Sequence, residues 1–205
     1  MSVVVKKQKI KTYHHGDLRE ALIKAGRDIL ESEGVAALTL RACARKAGVS
    51  HAAPQYHFAT VADLLGEIAA SGFEDFIQAL AHGARNETRP AARLVAMGRC
   101  YVAFAQTNPA IYQLMFGAKV PLRSERLQIA MAAAWFQLAD AVKAAAGPDD
   151  VYAKATHVWS LVHGFSMLTI MDRFPPVVNE AHALSQLVES LPRAIGSAWS
   201  MSRRS

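Results

Sequence analysis

The sequence contains few of the residues and motifs on which enzymes and extracellular proteins commonly depend. Cys43 and Cys100 are its only cysteines in 205 residues, too few for a disulfide framework and without metal-ligand spacing. It also lacks a nucleophile elbow, a Walker phosphate loop, a dinucleotide-binding glycine pattern and a zinc-protease helix motif. Because catalysis would have to come from scattered residues, we expect no enzyme activity, no cofactor and no bound metal.

Long apolar runs and strand signals are scarce as well. Residues 155–171 contain no Asp, Glu, Lys or Arg, but this stretch is short and polar for a membrane span. The β-branched run at residues 3–5 is far too short for the apolar region of a secretory signal. Most other apolar residues recur at helical spacing among many alanines. These features predict an all-α, cytoplasmic protein with no membrane segment.

Positive charge is concentrated near the N-terminus. The net charge is +6, and residues 1–60 hold ten Lys or Arg against five acids, while the remainder holds thirteen against twelve. Residues 1–16 are predicted to form a basic flexible arm, in which four lysines precede any acid: Lys6, Lys7, Lys9 and Lys11. A basic N-terminal third is typical of phosphate-backbone binding, although a solvated charged face beside a disordered leader gives the same count.

Residues 39–58 have the pattern of two short helices joined by a tight turn. Thr39 can cap the first helix through its hydroxyl. The apolar residues of this helix recur at spacings of three and four: Leu40, Cys43, Ala44 and Ala47. Gly48 follows where the helix must stop, because glycine reaches a left-handed backbone without steric penalty. Ser50 then supplies an N-cap for the next helix.

The second helix is predicted over about residues 50–58. Pro54 would lie in or just after its first turn, where few backbone hydrogen bonds are needed. His51, Ala52 and Gln55 would project from its opening turns, where a recognition helix presses side chains against base edges. Phe58 would anchor its end. An ordinary helical corner would give the same spacing, and the surrounding basic charge favours DNA binding.

The chain resembles the TetR family of transcriptional regulators over about residues 18–65. The resemblance is carried by the capped helix at Thr39, the Ala-Gly-Val-Ser turn, the Tyr-His-Phe sequence at 56–58 and the Asp-Leu-Leu sequence at 63–65. It implies an N-terminal three-helix helix-turn-helix domain that binds DNA. A helical-bundle domain for ligand binding and dimerisation would follow.

A second resemblance lies in the C-terminal part. Trp159, His163 and Gly164 are similar to the Trp-His-Gly motif of one TetR C-terminal subfamily. Two positions in the DNA-binding part depart from the family pattern. Gln55 stands where many members have a phosphate-contacting tyrosine, and Val61 stands where many have a phosphate-holding lysine.

The resemblance also implies which residues contact DNA. Arg41, His51 and Gln55 match positions that face bases. Tyr56, His57 and Thr60 are the candidates for contacting phosphates or positioning the helix. The full set predicted to bind DNA is Thr39, Arg41, Ser50, His51, Ala52, Gln55, Tyr56, His57 and Thr60.

The sequence suggests three segments. Residues 1–16 form the arm, 17–60 the helix-turn-helix domain and 61–205 the regulatory and dimerisation domain, whose residues 61–83 make a linking helix. The remaining helices are predicted at about residues 17–32, 90–107, 111–116, 125–146, 149–172 and 179–201, the last kinked at Pro192. The final two are too apolar for one chain to cover. The resemblance implies that they pair across a homodimer, which would read a near-palindromic operator; two core helices of a monomer are the alternative.

Aromatic and methionine side chains are concentrated over consecutive helices of the second half. The resemblance implies that they line a pocket for an unknown small-molecule effector, although any helical core contains such residues. The predicted set is Met97, Tyr101, Phe104, Tyr112, Met115, Phe116, Met131, Trp135, Trp159 and His163. Satisfaction by a neighbouring group is the simpler interpretation of His163, and its spacing from His157 places the two on different helix faces rather than in a metal pair.

Together these features predict a sequence-specific DNA-binding transcriptional regulator. Repression, relieved when an effector fills the C-terminal pocket, is the expected mode of action. A sequence-neutral architectural DNA-binding protein is one alternative, since the basic arm alone could support it. A helical enzyme is the other.

Overall fold

The computed structural model describes residues 15–117, 120 and 123–196, and these form helices joined by short connections, with no strand among them. The chain divides into two compact units, Met1–Val61 and Ala62–Ser205. The α-helices are α1 (His15–Glu33), α2 (Leu40–Lys46), α3 (Val61–Gly83), α4 (Pro90–Thr107), α5 (Pro109–Phe116), α6 (Glu125–Ala146), α7 (Val151–Ile170) and α8 (Glu180–Ala194). The predicted all-α class is confirmed. The predicted arm falls almost entirely outside the described residues.

The start and end of α2 follow from its flanking residues. The Thr39 hydroxyl accepts a hydrogen bond from the backbone N–H of Ala42 at 3.1 Å, which satisfies a donor that the first turn leaves open. After the helix, Gly48 adopts φ +70°, a left-handed backbone that other residues enter only with strain. The N–H of Val49 then bonds the Ala44 carbonyl at 3.0 Å, which closes the C-terminus.

The second motif helix differs from its prediction. Instead of an α-helix over residues 50–58, the chain forms a 3₁₀ helix at Ala53–Tyr56, with Ala52 rather than Ser50 at the N-cap position. Pro54 explains the change, because it has no N–H to give to residue 50 and its ring would collide with that carbonyl. The N–H of Ala53 bonds the Ser50 carbonyl at 3.0 Å in a tighter turn. A further 3₁₀ turn at Val35–Ala37 was not predicted.

The second unit is built around α4, which packs against α5, α6, α7 and α8. Gly98 lets α8 approach closely, since a Cβ there would lie 2.9 Å from the Leu191 side chain. Gly147, at φ +78°, ends α6 as predicted from the Gly-Pro sequence. By length and composition α6 is the one described helix that could cross a membrane, although it packs here on α4 and α7.

Two helix ends depart from the sequence expectation. The helix predicted over about residues 149–172 is shorter, Val151–Ile170, and begins after Asp150 in a left-handed conformation. The helix predicted to reach residue 201 ends at Ala194, because residues 195–196 turn away and the Gly196 N–H bonds the Arg193 carbonyl. Pro192 lies inside α8, near that end. Residues 197–205 lie outside the described part of the chain.

Two acidic residues of α3 bind the start of α6. Arg126 makes a two-point contact with the Glu74 carboxylate, Nε and Nη2 each lying 2.8 Å from an oxygen, and its Nη1 lies 3.4 Å from Glu67. Ser124 donates a hydrogen bond to Glu67 at 2.7 Å while its oxygen caps α6 by accepting from the Leu127 N–H. Because Glu67 is buried, this contact fixes α3 against α6 more firmly than a surface ion pair would.

Candidate functional site

The first unit presents most of the predicted DNA-binding residues to solvent. The 3₁₀ helix buries Ala53 and Pro54, and the side chains on either side of this pair point into solvent. His57 is half-buried. The exposed members of the predicted set are Thr39, Arg41, Ser50, His51, Ala52, Gln55, Tyr56 and Thr60.

Tyr56 is the most prominent of these side chains. It is 84% exposed, which is unusual for so large a ring. A tyrosine in that setting can stack or donate its hydroxyl to a phosphate without any rearrangement of the unit. The aromatic ring of Tyr56 is therefore available for contact. It lies one residue after Gln55, the position at which the family pattern has its tyrosine.

The same surface region contains two basic side chains outside the predicted set. Arg45 and Lys46 are exposed in the last turn of α2. They stabilise the negative end of the helix dipole, and they add positive charge beside the turn. The signal was present in the sequence as two consecutive basic residues before the Ala-Gly turn.

Phe58 anchors the end of the motif, as predicted. Its ring is 2% exposed, and the guanidinium carbon of Arg19 on α1 lies 5.6 Å from the ring centroid. The Phe58 N–H bonds the Pro54 carbonyl at 2.9 Å. The 3₁₀ helix is thereby held at one end by α2's turn and at the other by this buried ring.

The second unit encloses a cavity of about 200 Å³. Five helices contribute to its wall, and none of the lining residues carries a charge. They are Phe73, Phe76, Leu80, Leu94, Met97, Gly98, Tyr101, Phe116, Met131, Ala134, Trp135, Leu138, Val158, Trp159 and Val162. A concave apolar space of this kind is the usual form of a small-molecule site.

Six of the ten residues predicted for a pocket line this cavity: Met97, Tyr101, Phe116, Met131, Trp135 and Trp159. The other four lie outside its wall. Phe104 packs edge-on against Phe76, with 5.3 Å between the ring centroids. Met115 packs beside Gly72, so closely that a Cβ added to Gly72 would lie 2.9 Å from the Met115 sulfur. Tyr112 and His163 join a polar cluster. The cavity residues on α3, Phe73 and Phe76, are not in the predicted set, because residues 61–83 were predicted only as a linking helix.

The polar cluster connects α4, α5 and α7 around the Tyr101 hydroxyl. Trp159 Nε1–H donates to the Tyr101 oxygen at 3.1 Å, and the Tyr112 hydroxyl donates to it at 3.2 Å. The Tyr101 hydroxyl oxygen lies 3.0 Å from Nδ1 of His163, and the Tyr112 oxygen lies 2.8 Å from the same nitrogen. His163 is thus satisfied by neighbouring side chains, the simpler of the two interpretations that its sequence position allowed.

Burial keeps this cluster uncharged. Removal from water lowers the pKa of His163 below its ordinary value of 6.5, which favours the neutral imidazole. The same cause raises the pKa of Tyr101 well above its usual range and that of Tyr112 to about 12. Among the described residues, no three His, Cys, Asp or Glu side chains come together as a metal site.

Comparisons with known proteins agree with this architecture. Residues 94–191 match the tetracyclin repressor-like C-terminal domain. A protein of unknown function from Rhodococcus sp. RHA1 is 31% identical, with 90% of this chain and 98% of that chain covered and a TM-score of 0.75. The chain belongs to the TetR family of transcriptional regulators.

Two further solved structures share the fold of this TetR-family chain. A regulatory protein of the TetR family from Rhodococcus RHA1 is 18% identical, covers 87% of this chain and 96% of its own, and has a TM-score of 0.63. The multidrug binding protein EbrR, solved with imidazole, is 20% identical over 86% of this chain and 94% of its own, also with a TM-score of 0.63. Comparison with curated proteins gives no match. The likeness to the Trp-His-Gly subfamily stays a prediction.

Proposed function

We propose that this TetR-family regulator is a homodimeric repressor that reads a near-palindromic operator and is released when a small molecule fills its cavity. The observation that carries the proposal is the exposed, basic turn region of the first unit, where Arg41, His51 and Gln55 stand free in solvent. Residues 17–60 would form the DNA-binding domain and 61–205 the regulatory domain. Such a protein acts where the DNA is, in the cytoplasm, and needs no catalytic group.

The DNA-contacting side chains divide into two groups. Arg41, His51 and Gln55 would meet base edges, since each offers hydrogen-bonding groups that distinguish base pairs in the major groove. Tyr56 and Thr60 would contact phosphates, and they position the protein without reading sequence. The remaining members of the predicted set, Thr39, Ser50, Ala52 and His57, would support the same docking. Arg45 and Lys46 join the phosphate group.

Base reading is tested with duplexes selected by the wild-type protein from a random library. We expect Gln55→Ala to reduce discrimination between the selected duplex and its scrambled version by about 1–3 kcal/mol, because one good base contact is lost. Gln78→Ala is the matched control, since Gln78 is an exposed glutamine of α3 in the other unit. Fluorescence anisotropy at several salt concentrations separates this effect from loss of phosphate contacts.

Tyr56→Ala tests the phosphate group in the same assay. It should weaken binding to the selected and scrambled duplexes by similar factors, because a phosphate contact carries no sequence information. Loss of discrimination in Tyr56→Ala, or its full retention in Gln55→Ala, would contradict the assigned roles. Equal affinity of the wild-type protein for both duplexes would favour a sequence-neutral architectural protein instead.

Dimerisation is supported by the outward face of α7. Leu168 is 43% exposed and Met171 is 48% exposed, and they follow Gly164 at spacings of about one and two helical turns. Gly164 is itself exposed, and a Cβ added there would meet nothing within 4 Å. A glycine inside a helix costs about 1 kcal/mol relative to alanine. Close approach of a second helix at Gly164 would account for it, and the flanking apolar side chains would be covered in the dimer.

Sedimentation equilibrium tests the dimer. Leu168→Glu should shift the protein toward monomer, because a charge on the proposed interface would be buried without a partner. Ile129→Glu is the control, since Ile129 is 62% exposed on α6, outside the proposed interface. If wild-type protein sediments as a monomer, or if both variants dimerise equally well, the interface assignment is wrong.

Effector binding is supported by the cavity of the second unit and by the name of one structural relative, the multidrug binding protein EbrR. Repression requires that the effector prefer a conformation of the dimer that no longer fits its operator, because a ligand shifts an equilibrium only by its differential affinity. An operator–reporter fusion tests the direction of control. Higher reporter expression without the regulator supports repression, and lower expression would mean activation.

A further inference from the structure

The cavity wall restricts the chemistry of the molecule that can occupy it. Building on the effector-released regulator proposed above, we propose that the effector is an uncharged, mainly apolar molecule of about one aromatic ring with a short substituent. Carboxylates and ammonium ions of the same size would be excluded.

The wall offers no partner for a charged group. All its described lining residues are uncharged, and its polar side-chain atoms are the Tyr101 hydroxyl and the indole nitrogens of Trp135 and Trp159. Moving a carboxylate or ammonium group from water into such a space costs several kcal/mol unless an opposite charge or several hydrogen bonds await it. The ion pairs of this unit that involve α3 and α6 use Glu67, Glu74 and Arg126, which are not part of the wall.

Two of the three polar wall atoms are already occupied. Trp159 gives its only N–H to Tyr101, whose oxygen also accepts from Tyr112 and lies 3.0 Å from Nδ1 of His163. A hydroxyl with three hydrogen-bond partners has no remaining capacity. A ligand carboxylate would therefore find at most the single indole N–H of Trp135 without breaking an existing hydrogen bond, and a ligand ammonium would face hydroxyl and indole groups that hold no negative charge.

The cavity's volume and aromatic lining indicate the size and shape of its ligand. A volume of about 200 Å³ is somewhat larger than the roughly 150 Å³ of an engineered apolar cavity that binds benzene. One ring with a short chain fills that difference. The wall includes Phe73, Phe76, Phe116, Trp135 and Trp159, whose edges and faces can pack against a further aromatic ring.

Three probes that share a phenyl ring and a short chain test the proposal: propylbenzene, phenylacetate and 2-phenylethylammonium. Each is titrated into the ligand-free full-length protein, and binding is followed by the fluorescence of Trp135 and Trp159 in the wall. We expect saturable binding of propylbenzene. The two charged probes should bind at least about 100-fold more weakly, the factor that corresponds to a desolvation cost of several kcal/mol.

Variants place the binding in this cavity. Ala134→Phe puts a ring into the wall and should abolish the propylbenzene signal, whereas Ala132→Phe adds the same ring at an exposed position of α6 outside the wall and should leave it unchanged. Met131→Glu supplies the missing charge. It should raise the affinity for 2-phenylethylammonium and lower that for propylbenzene, and this reversal remains a test even if Ala134→Phe fails to fold.

Two results would overturn the proposed ligand class. One is binding of either charged probe within about 10-fold of propylbenzene, and the other is absence of a saturable propylbenzene signal with folded protein. These titrations contain no DNA, so they are independent of the regulator function. If that function is wrong, ligand-free protein fails to bind DNA selectively, whichever probe the cavity accepts.

Discussion

Replacing Tyr101 with phenylalanine should destabilise the protein more than the same change at Tyr112, although both side chains are buried tyrosines in one cluster. The Tyr101 oxygen accepts from Trp159 and Tyr112 and also lies 3.0 Å from Nδ1 of His163. Without it, Tyr112 keeps its contact with the His163 nitrogen 2.8 Å away, but the Trp159 N–H loses its acceptor. Trp159 is 37% exposed, so water can partly replace that acceptor, and the loss of the three hydrogen bonds together should cost about 1–3 kcal/mol.

Loss of the Tyr112 hydroxyl leaves every other member of the cluster with a partner. Tyr101 still accepts from Trp159 and still contacts His163, so the expected cost is that of one hydrogen bond, about 0.5–1.5 kcal/mol. Tyr152→Phe is the matched control, because Tyr152 is 62% exposed and its hydroxyl is solvated in either state. Its change in unfolding free energy should be close to zero.

Urea unfolding followed by far-ultraviolet circular dichroism measures all three variants. Protein concentration must be equal throughout, since dimerisation couples to unfolding, and the slope with urea should be unchanged if only stability differs. The reasoning fails if Tyr112→Phe costs as much as Tyr101→Phe. It also fails if Tyr101→Phe is no more destabilising than Tyr152→Phe, because the cluster would then contribute nothing measurable.

Three further changes test single features. Burial lowers the pKa of His163, so the unfolded state binds more protons than the folded state. The free energy of unfolding should therefore fall as pH drops below about 6.5 and level off below the folded-state pKa. Urea unfolding of His163→Gln across pH should show a shallower fall. Gly72→Ala should lower the unfolding free energy by about 1–3 kcal/mol, since the new Cβ would lie 2.7 Å from Ile111, and an unchanged thermal midpoint would contradict that close packing. Thr39→Ala should cost about 1 kcal/mol in chemical denaturation by removing the cap on Ala42, and Thr39→Ser should retain most of it.

Features fixed by neighbouring residues could be predicted from the sequence. The Thr39 cap, the left-handed Gly48 and the end of α6 at Gly147 depend on side chains and backbone preferences within one turn. The resemblance carried by residues 39–58 led to the family for the same reason, because a helix-turn-helix is a local structure. The bounds of α6 were predicted without error.

Features that depend on competition between local signals were harder to predict. Pro54 was expected to be tolerated in an α-helix, but it tightened the segment into a 3₁₀ helix, because the missing hydrogen bond and the ring clash act at the same carbonyl. The spacing of apolar residues predicted a last helix that reaches residue 201. In the structure Ile195 and Gly196 turn after Ala194, and periodicity alone cannot indicate where a helix yields to a turn.

The cavity depends on packing between helices far apart in sequence. Composition identified aromatic residues of α4 to α7, but a helical wheel does not show which of them face an open space and which face each other. Tyr112 and His163 were predicted to line the pocket. In the structure they form hydrogen bonds with each other and with Tyr101, and neither belongs to the cavity wall. Phe73 and Phe76 line it although their helix was considered only as a connection.

The position of α3 gives a physical reason why filling the cavity would influence DNA binding. This helix begins at Val61, where the first unit ends, and its middle supplies Phe73 and Phe76 to the cavity wall. Arg126 contacts two glutamates of α3, Glu67 and Glu74, and so holds this helix against α6, which also lines the cavity. A ligand that separates the aromatic residues of α3 from α6 must therefore either strain these ion pairs or shift α3 as a whole. Because close-packed helices move as units rather than deform locally, the shift would be transmitted along α3 toward Val61, where the first unit ends.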